Sequence, residues 1–197
     1  EKPKDYRFIP GQVTLVAINK PNLKDKKRTF TFASLNDDLI LEFIIKKYHG
    51  GISEKINELK PGDELIINDI FGAISYKGKG MFIAAGTGIT PFIAILRQLR
   101  KDNKLEGNML IFSNKTSRDI ILEKELKEML GSNLILILTR EKKDDYEYGR
   151  INEEFLKEKI KNLAQYFYIC GPRDFVKDIK ETLRNLGVES KKILTEK

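Results

Sequence analysis

A chain of 197 residues, 41% of them hydrophobic, is long enough for one large domain or two small ones and too apolar to stay disordered. One cysteine and one histidine exclude a disulfide framework and a Cys/His zinc site, and no apolar run approaches the roughly 20 residues of a spanning helix. The net charge of +7 raises nucleic acid as a partner, yet acids alternate with the lysines, as in Glu123-Lys124-Glu125-Leu126-Lys127-Glu128, and no basic stripe is interleaved with aromatics. The charged opening Glu1-Lys2-Pro3-Lys4-Asp5 is no apolar leader, so no membrane association and a reducing, cytoplasmic setting are expected.

Residues 1–79 are rich in strand-like runs: Gln12 to Ile18, Arg28 to Ser34, Leu39 to Lys46 and Glu64 to Ile70. Pro10-Gly11, Pro21-Asn22, Asn36-Asp37-Asp38 and Pro61-Gly62-Asp63 supply the turns, and a helical patch spans Ser53 to Leu59. This texture predicts an antiparallel sandwich or barrel. Residues 80–197 alternate instead. Strands are predicted at Met81–Ala85, Asn108–Ser113, Leu134–Thr139, Tyr166–Cys170 and Lys192–Thr195, with helices at Pro91–Lys101, Arg118–Leu130, Asn152–Lys161 and Pro172–Leu186. That alternation predicts a five-stranded parallel sheet covered on both faces. Ligands of such sheets bind beyond the carboxyl ends of the strands. Gly86–Pro91, Ser113–Lys115, Thr139–Arg140 and Cys170–Pro172 all fall there.

Gly86-Thr87-Gly88-Ile89-Thr90-Pro91 links an apolar strand to a helix. Thr90 reads as the N-cap and Pro91 as the first helical residue. Unpaired N–H groups and the helix dipole suit phosphate there, although a tight turn without ligand explains the same residues. Arg28-Thr29-Phe30-Thr31 offers a phosphate-matching fork, an aromatic ring and a hydroxyl, or simply begins an amphipathic strand. His49-Gly50-Gly51-Ile52-Ser53 is a second glycine-rich helix entry, equally a Ser-capped loop. Cys170-Gly171-Pro172 ends a strand before a helix. No Ser/His/Asp triad can be built around His49, and no lysine follows the GTGITP turn as a P-loop requires.

Taken in order, Arg28-Thr29-Phe30-Thr31, Gly50-Gly51-Ile52-Ser53, GTGITP and Tyr168-Ile169-Cys170-Gly171-Pro172 resemble the ferredoxin–NADP(+) reductase family of flavoproteins, especially the bacterial flavodoxin/ferredoxin reductases. The resemblance runs from Phe8 to Glu196. It implies an FAD-binding β-barrel, an NAD(P)-binding α/β domain, and hydride transfer between the two cofactors. By that resemblance Arg28 and Thr29 lie at the FAD pyrophosphate, Phe30 packs on the isoalloxazine, and Thr31 bonds near its N5 edge. Ile45, Lys46 and Lys47 line the ribityl side, while Gly51, Ile52 and Ser53 cradle the pyrophosphate. Gly86 and Thr87 approach the flavin, and Gly88, Ile89, Thr90 and Pro91 receive the nicotinamide nucleotide. Cys170, followed by Gly171 and Pro172, sits beside the reacting carbon of the nicotinamide. Glu196 assists proton supply, and Thr31, Cys170 and Glu196 are the expected catalytic residues.

Four features depart from the family. Phe30 stands where tyrosine is usual, and Thr31 where serine is usual. The chain starts later than family members do, so missing first strands are expected, and Lys197 follows Glu196 where an aromatic often covers the flavin. The second strand of the α/β half ends Ser113-Asn114-Lys115-Thr116, with Arg118 behind it. Hydroxyls and positive charge favour NADPH over NADH as the nucleotide. The basic balance favours an acidic redox partner such as flavodoxin or ferredoxin. The reductase component of an oxygenase and a non-catalytic electron-channelling subunit are the alternatives, and no metal is expected on this chain because one cysteine holds no iron–sulfur cluster.

Overall fold

The computed structural model describes residues 2–3, 5–72 and 74–196. Lys197, with the expectation of an uncovered flavin attached to it, lies outside them.

The first half is antiparallel. Strands β1 (Val13–Ile18), β2 (Arg28–Thr31) and β3 (Leu65–Phe71) pair in the order β2-β1-β3. The expected strand Leu39 to Lys46 is not regular: its one ladder contact is an isolated bridge from Phe43 to Phe32. The ring of Phe32, fully buried, stacks on Phe8 at 4.2 Å and leans on Phe43 at 5.3 Å, so this stretch is held by aromatic packing rather than by a hydrogen-bond ladder. Among the described residues this half is therefore an open sheet closed by a packed loop. Helix α1 (Ile52–Asn57) follows that loop.

The second half is a parallel sheet with helices on both faces. Its strands are β4 (Gly80–Ala85), β5 (Met109–Asn114), β6 (Leu134–Leu138), β7 (Glu147–Tyr148), β8 (Tyr166–Cys170) and β9 (Ile193–Thr195). They pair in the order β7-β6-β5-β4-β8-β9. A sixth strand, β7, thus joins the five expected; two exposed residues at a sheet edge carry no apolar signature. Strand alternation sorts the core. Phe82, Ala84, Tyr168 and Cys170 face helices α2 (Thr90–Lys101) and α3 (Glu123–Leu130). Met81, Ile83, Phe167 and Ile169 face α4 (Glu153–Lys159) and α5 (Arg173–Asn185).

Helix α2 forms because Phe92, Ile93, Leu96 and Leu99 recur at helical spacing and are buried, with Arg100 and Lys101 in its last turn complementing the dipole. Its beginning differs from expectation. A 3₁₀ turn over Gly86–Ile89 leads into it, so Ile89 rather than Thr90 is the cap, and Thr90 Oγ1 donates back to the Thr87 carbonyl at 3.1 Å. The glycines let the chain curl one turn earlier than a capping threonine would.

The segment joining the halves is pinned by Tyr168. The Tyr168 hydroxyl accepts from the N–H groups of Lys77 and Gly78 at 2.9 and 3.1 Å and donates to the Gly78 carbonyl at 2.7 Å. Burial pushes this phenol up to about 12. Tyr168→Phe leaves the ring packed and strands those backbone groups. A loss of about 1–3 kcal/mol is expected, read as a lower urea midpoint at unchanged slope; an unaltered midpoint would show the tether to be idle.

Candidate active site at the cleft between the halves

Two neighbouring cavities open where the halves meet. The first, of about 450 Å³, is walled by Arg28, Thr29, Phe30 and Thr31 of β2, by Ile44, Ile45, Lys46 and Tyr48, and by Gly51, Ile52 and Ser53 at the start of α1. Thr87, Thr90 and Glu196 close it from the second half. Arg28 is exposed; its Nη1 donates to the Lys27 carbonyl at 2.8 Å, and among the described residues no carboxylate pairs with it. Its fork is thus available for an anion. Ser53 is buried and its Oγ accepts from the Tyr48 N–H at 3.1 Å, so this residue holds the loop shape and offers its backbone to the cavity. The oxygens of Thr31 and Thr90 lie 3.4 Å apart, joining the two halves at the cavity floor.

The second cavity, about 330 Å³, lies beyond the carboxyl ends of β4 and β5. Ala85, Gly86, Thr87, Ser113, Asn114, Lys115, Thr139 and Pro172 line it, with Asp119 at one side and Lys46 and Tyr48 reaching in from the first half. Lys46, Tyr48 and Thr87 wall both cavities. Both amide atoms of Asn114 are buried without a hydrogen-bond partner. Such a side chain is costly unless a ligand or water serves it, which fits a polar occupant here. A further hollow of about 350 Å³ continues past Ser113, Lys115 and Thr139 to Arg140 and Arg150, with Asp174 and Asp178 of α5 on its other wall. None of Lys115, Arg140 and Arg150 takes part in an ion pair among the described residues.

The nearby acids are engaged locally. Asp119 accepts from the Thr116 N–H at 3.1 Å and from its hydroxyl at 2.8 Å; the hydroxyl bond holds the Asp119 carboxyl below the usual range. Glu141 accepts from the Ser117 N–H at 2.6 Å, with the same consequence.

The GTGITP and Cys-Gly-Pro turns touch backbone to backbone. A Cβ on Gly88 would stand 2.4 Å from the Cys170 carbonyl oxygen. Cys170 itself is buried, with Sγ 3.5 Å from a Glu196 carboxylate oxygen. Burial, reinforced by Glu196, pushes the thiol far up, so it stays protonated.

Most residues singled out from sequence therefore converge, from segments far apart in the chain. Lys47 does not reach either cavity wall; its amine turns to Glu54 at 3.6 Å. Ile89 and Pro91 are buried in the core, and Gly88 and Cys170 lie behind the wall rather than on it. Sequence reasoning missed Tyr48, Asp119 and Arg150. Asp119 carries a readable signal, the Thr-x-x-Asp spacing of a capping box, which the structure forms at Thr116.

The fold and cleft define a two-part domain with paired cavities at the join, and residues 82–181 match the family described as oxidoreductase NAD-binding domain. The chain belongs to this oxidoreductase NAD-binding domain family, and its fold is that of ferredoxin–NADP(+) reductase-like structures. It is 30% identical over 199 residues to NADH-cytochrome b5 reductase 2 of Candida albicans, covering 90% of this chain and 66% of that protein. NADH-cytochrome b5 reductase 1 of Candida glabrata is 27% identical, with 83% and 64% covered, so the chain spans about two thirds of these relatives. Among solved structures, the FAD/NAD-binding domain of a nitric oxide dioxygenase from Vibrio cholerae superposes with a TM-score of 0.85 at 21% identity, over 97% of this chain and 85% of that one. A ferredoxin NADP+ reductase from Neisseria gonorrhoeae, solved with FAD and NADP, gives 0.85 at 22% identity, over 100% and 89%.

Proposed function

We propose that the chain is the catalytic part of an FAD-dependent oxidoreductase that takes hydride from a nicotinamide nucleotide and passes electrons to a redox protein. The carrying observation is the pair of cavities that share Lys46, Tyr48 and Thr87. Bound FAD would supply the hydride acceptor. Arg28 and the backbone of Gly51–Ser53 would hold its pyrophosphate, and Thr31 would offer a hydroxyl at the ring edge. Lacking a phenolic oxygen, Phe30 contributes packing alone. Across the cleft, Thr87 and Thr90 would set the nicotinamide against the ring. Cys170, buried behind the wall, donates its S–H to Glu196, the acid that lines the first cavity and would carry a proton. The residues thus bind, orient and exclude water, which is what hydride transfer asks of a protein.

For the nucleotide we infer NADPH, because Lys115, Arg140 and Arg150 line the far end of the cleft without carboxylate partners. NADH is the second reading: the relatives carry NADH in their names, Asp119 lines the neighbouring cavity, and Asp174 and Asp178 share the hollow with the three cations. Net charge of +7 supports an acidic carrier, flavodoxin or ferredoxin among them, and one buried thiol suits a reducing compartment such as the cytoplasm.

Reconstitution with FAD followed by anaerobic nucleotide addition tests the reading. Bleaching of the flavin bands is expected with either nucleotide, faster at low concentration with NADPH. Arg140→Ala is expected to raise KM for NADPH by about tenfold and leave that for NADH within about twofold, the loss of one phosphate contact. A protein that binds no flavin would overturn the function, and a wild-type preference for NADH would reverse the nucleotide assignment.

A further inference from the structure

One side of α2 faces the first half along its whole length. Thr90, Ala94, Arg97 and Lys101 recur at helical spacing on it. Thr90 meets Thr31 at the cavity floor, and Lys101 pairs with Asp37 at the other end. Between them Arg97 uses its guanidinium on three segments at once. Its Nη1 donates to the Ala33 carbonyl at 2.7 Å and to Glu42 at 2.6 Å. Its Nε and Nη2 donate to the two oxygens of Glu125 at 2.6 and 2.9 Å. The side chain is only 21% exposed. Bidentate pairing of this kind fixes direction as well as distance.

What Arg97 grips is informative. Ala33 lies just past Thr31 on the chain. Glu42 leads into Ile44, Ile45 and Lys46, a wall of the first cavity. Glu125 sits in α3, directly after the segment that brings Asp119 and Ile121 to the cleft. The helix that carries Arg97 begins with the GTGITP turn itself. Every segment held by Arg97 thus ends at the cleft, while Arg97 lines neither cavity.

We propose that Arg97 is a positioning residue for the transfer step, fixing the separation and tilt of the two halves so that the flavin-side and nicotinamide-side walls face each other at reacting distance. The proposal rests on the reading of the cleft as paired flavin and nicotinamide sites. Transfer across a gap of roughly 3–3.5 Å is sensitive to misplacement of about 1 Å, whereas binding within either half is not. Lysine at this position keeps the charge but, with one nitrogen and three donors, cannot reproduce the bidentate hold on Glu125 together with the bonds to Ala33 and Glu42.

The test uses the full chain reconstituted with FAD, as wild type, Arg97→Met and Arg97→Lys. Two readouts are taken: anaerobic stopped-flow bleaching over a range of nucleotide concentrations, and amide hydrogen exchange without cofactors. For Arg97→Met the limiting rate is expected to fall by about 10- to 100-fold, with the half-saturating nucleotide concentration and FAD retention within about threefold of wild type. Arg97→Lys should fall between. Exchange should quicken in residues 33–46 and stay unchanged in β4 and β5. An unaltered limiting rate in folded Arg97→Met, a loss confined to nucleotide affinity, or a uniform rise in exchange overturns the proposal. Wild-type protein that holds FAD but is bleached by neither nucleotide instead overturns the paired-site reading, and the positioning role goes with it.

Discussion

Gly88→Ala is expected to remove nucleotide-driven flavin bleaching and to destabilise the second half. The added methyl would meet the Cys170 carbonyl oxygen at 2.4 Å and the Gly171 nitrogen at 2.5 Å. Both are backbone atoms between β8 and α5, so no rotamer change relieves the clash. The ends of β4 and β8 must part, and overpacking of this kind costs about 1–3 kcal/mol, more where backbone is involved. The same displacement widens the floor of the cleft, where Thr87 and Thr90 lie. Gly86→Ala is the control for stability alone, because Gly86 itself lines the second cavity. Gly86 adopts φ +53, and a methyl placed there would have nothing of the protein within 4 Å, so only the left-handed backbone opposes its folding, at about 1–2 kcal/mol. Urea unfolding on both variants isolates the cost of the backbone clash, and stopped-flow bleaching on Gly88→Ala reads its effect on the cleft. If Gly88→Ala matched wild type in rate and midpoint, the two turns would not be in the contact described.

Cys170→Ala is the second. The limiting rate of bleaching is expected to drop by about ten- to a hundredfold while FAD stays bound, since the thiol stands behind the cleft floor and donates to Glu196. Burial is the main cause of its raised pKa, and the Glu196 carboxylate adds to it. The group therefore remains S–H throughout the working range, and the wild-type rate should show no thiol titration between about pH 6 and 9. Iodoacetamide should label it slowly for the same reason, because the thiolate is the reactive form. A wild-type-like single-turnover rate in Cys170→Ala would remove Cys170 from the reaction. A pH profile governed by a thiolate would reverse its chemistry from donor to base.

Local signals in the sequence carried the second half well. The run Met81–Ala85 followed by glycines and then apolar residues at helical spacing can hardly be anything but strand, turn and helix. The same logic placed the sheet's carboxyl ends, and with them Ser113, Thr139 and Pro172, in one crevice. What escaped were features decided by distant partners. Leu39 to Lys46 has the composition of a strand, yet its pairing stops at one bridge to Phe32 and single bonds from Ala33 and Lys2, and its shape follows from aromatic packing and from the grip of Arg97 on Glu42. Thr90 has capping chemistry, but the two glycines before it let the helix start earlier. Arg97 itself reads as one more surface charge on an amphipathic helix; its three partners lie in three separate segments, and no spacing rule connects them. The β-rich half was legible in strand direction and in the Arg28 and Ser53 positions, and less so in how its loops close.

Strand β4 is flanked by β5 and β8, with Met81 beside both Met109 and Phe167. During synthesis the first neighbour emerges soon after β4, and the second only after β5, β6 and β7 have been made. Until then one edge of an apolar strand, Met-Phe-Ile-Ala-Ala, has no ladder to join. Completion of the parallel sheet therefore waits on β8, far along the chain from β4, the order of non-local pairing that slows parallel sheets. A ribosome stalled before Tyr166 should hold a nascent chain that recruits chaperones and binds no nucleotide.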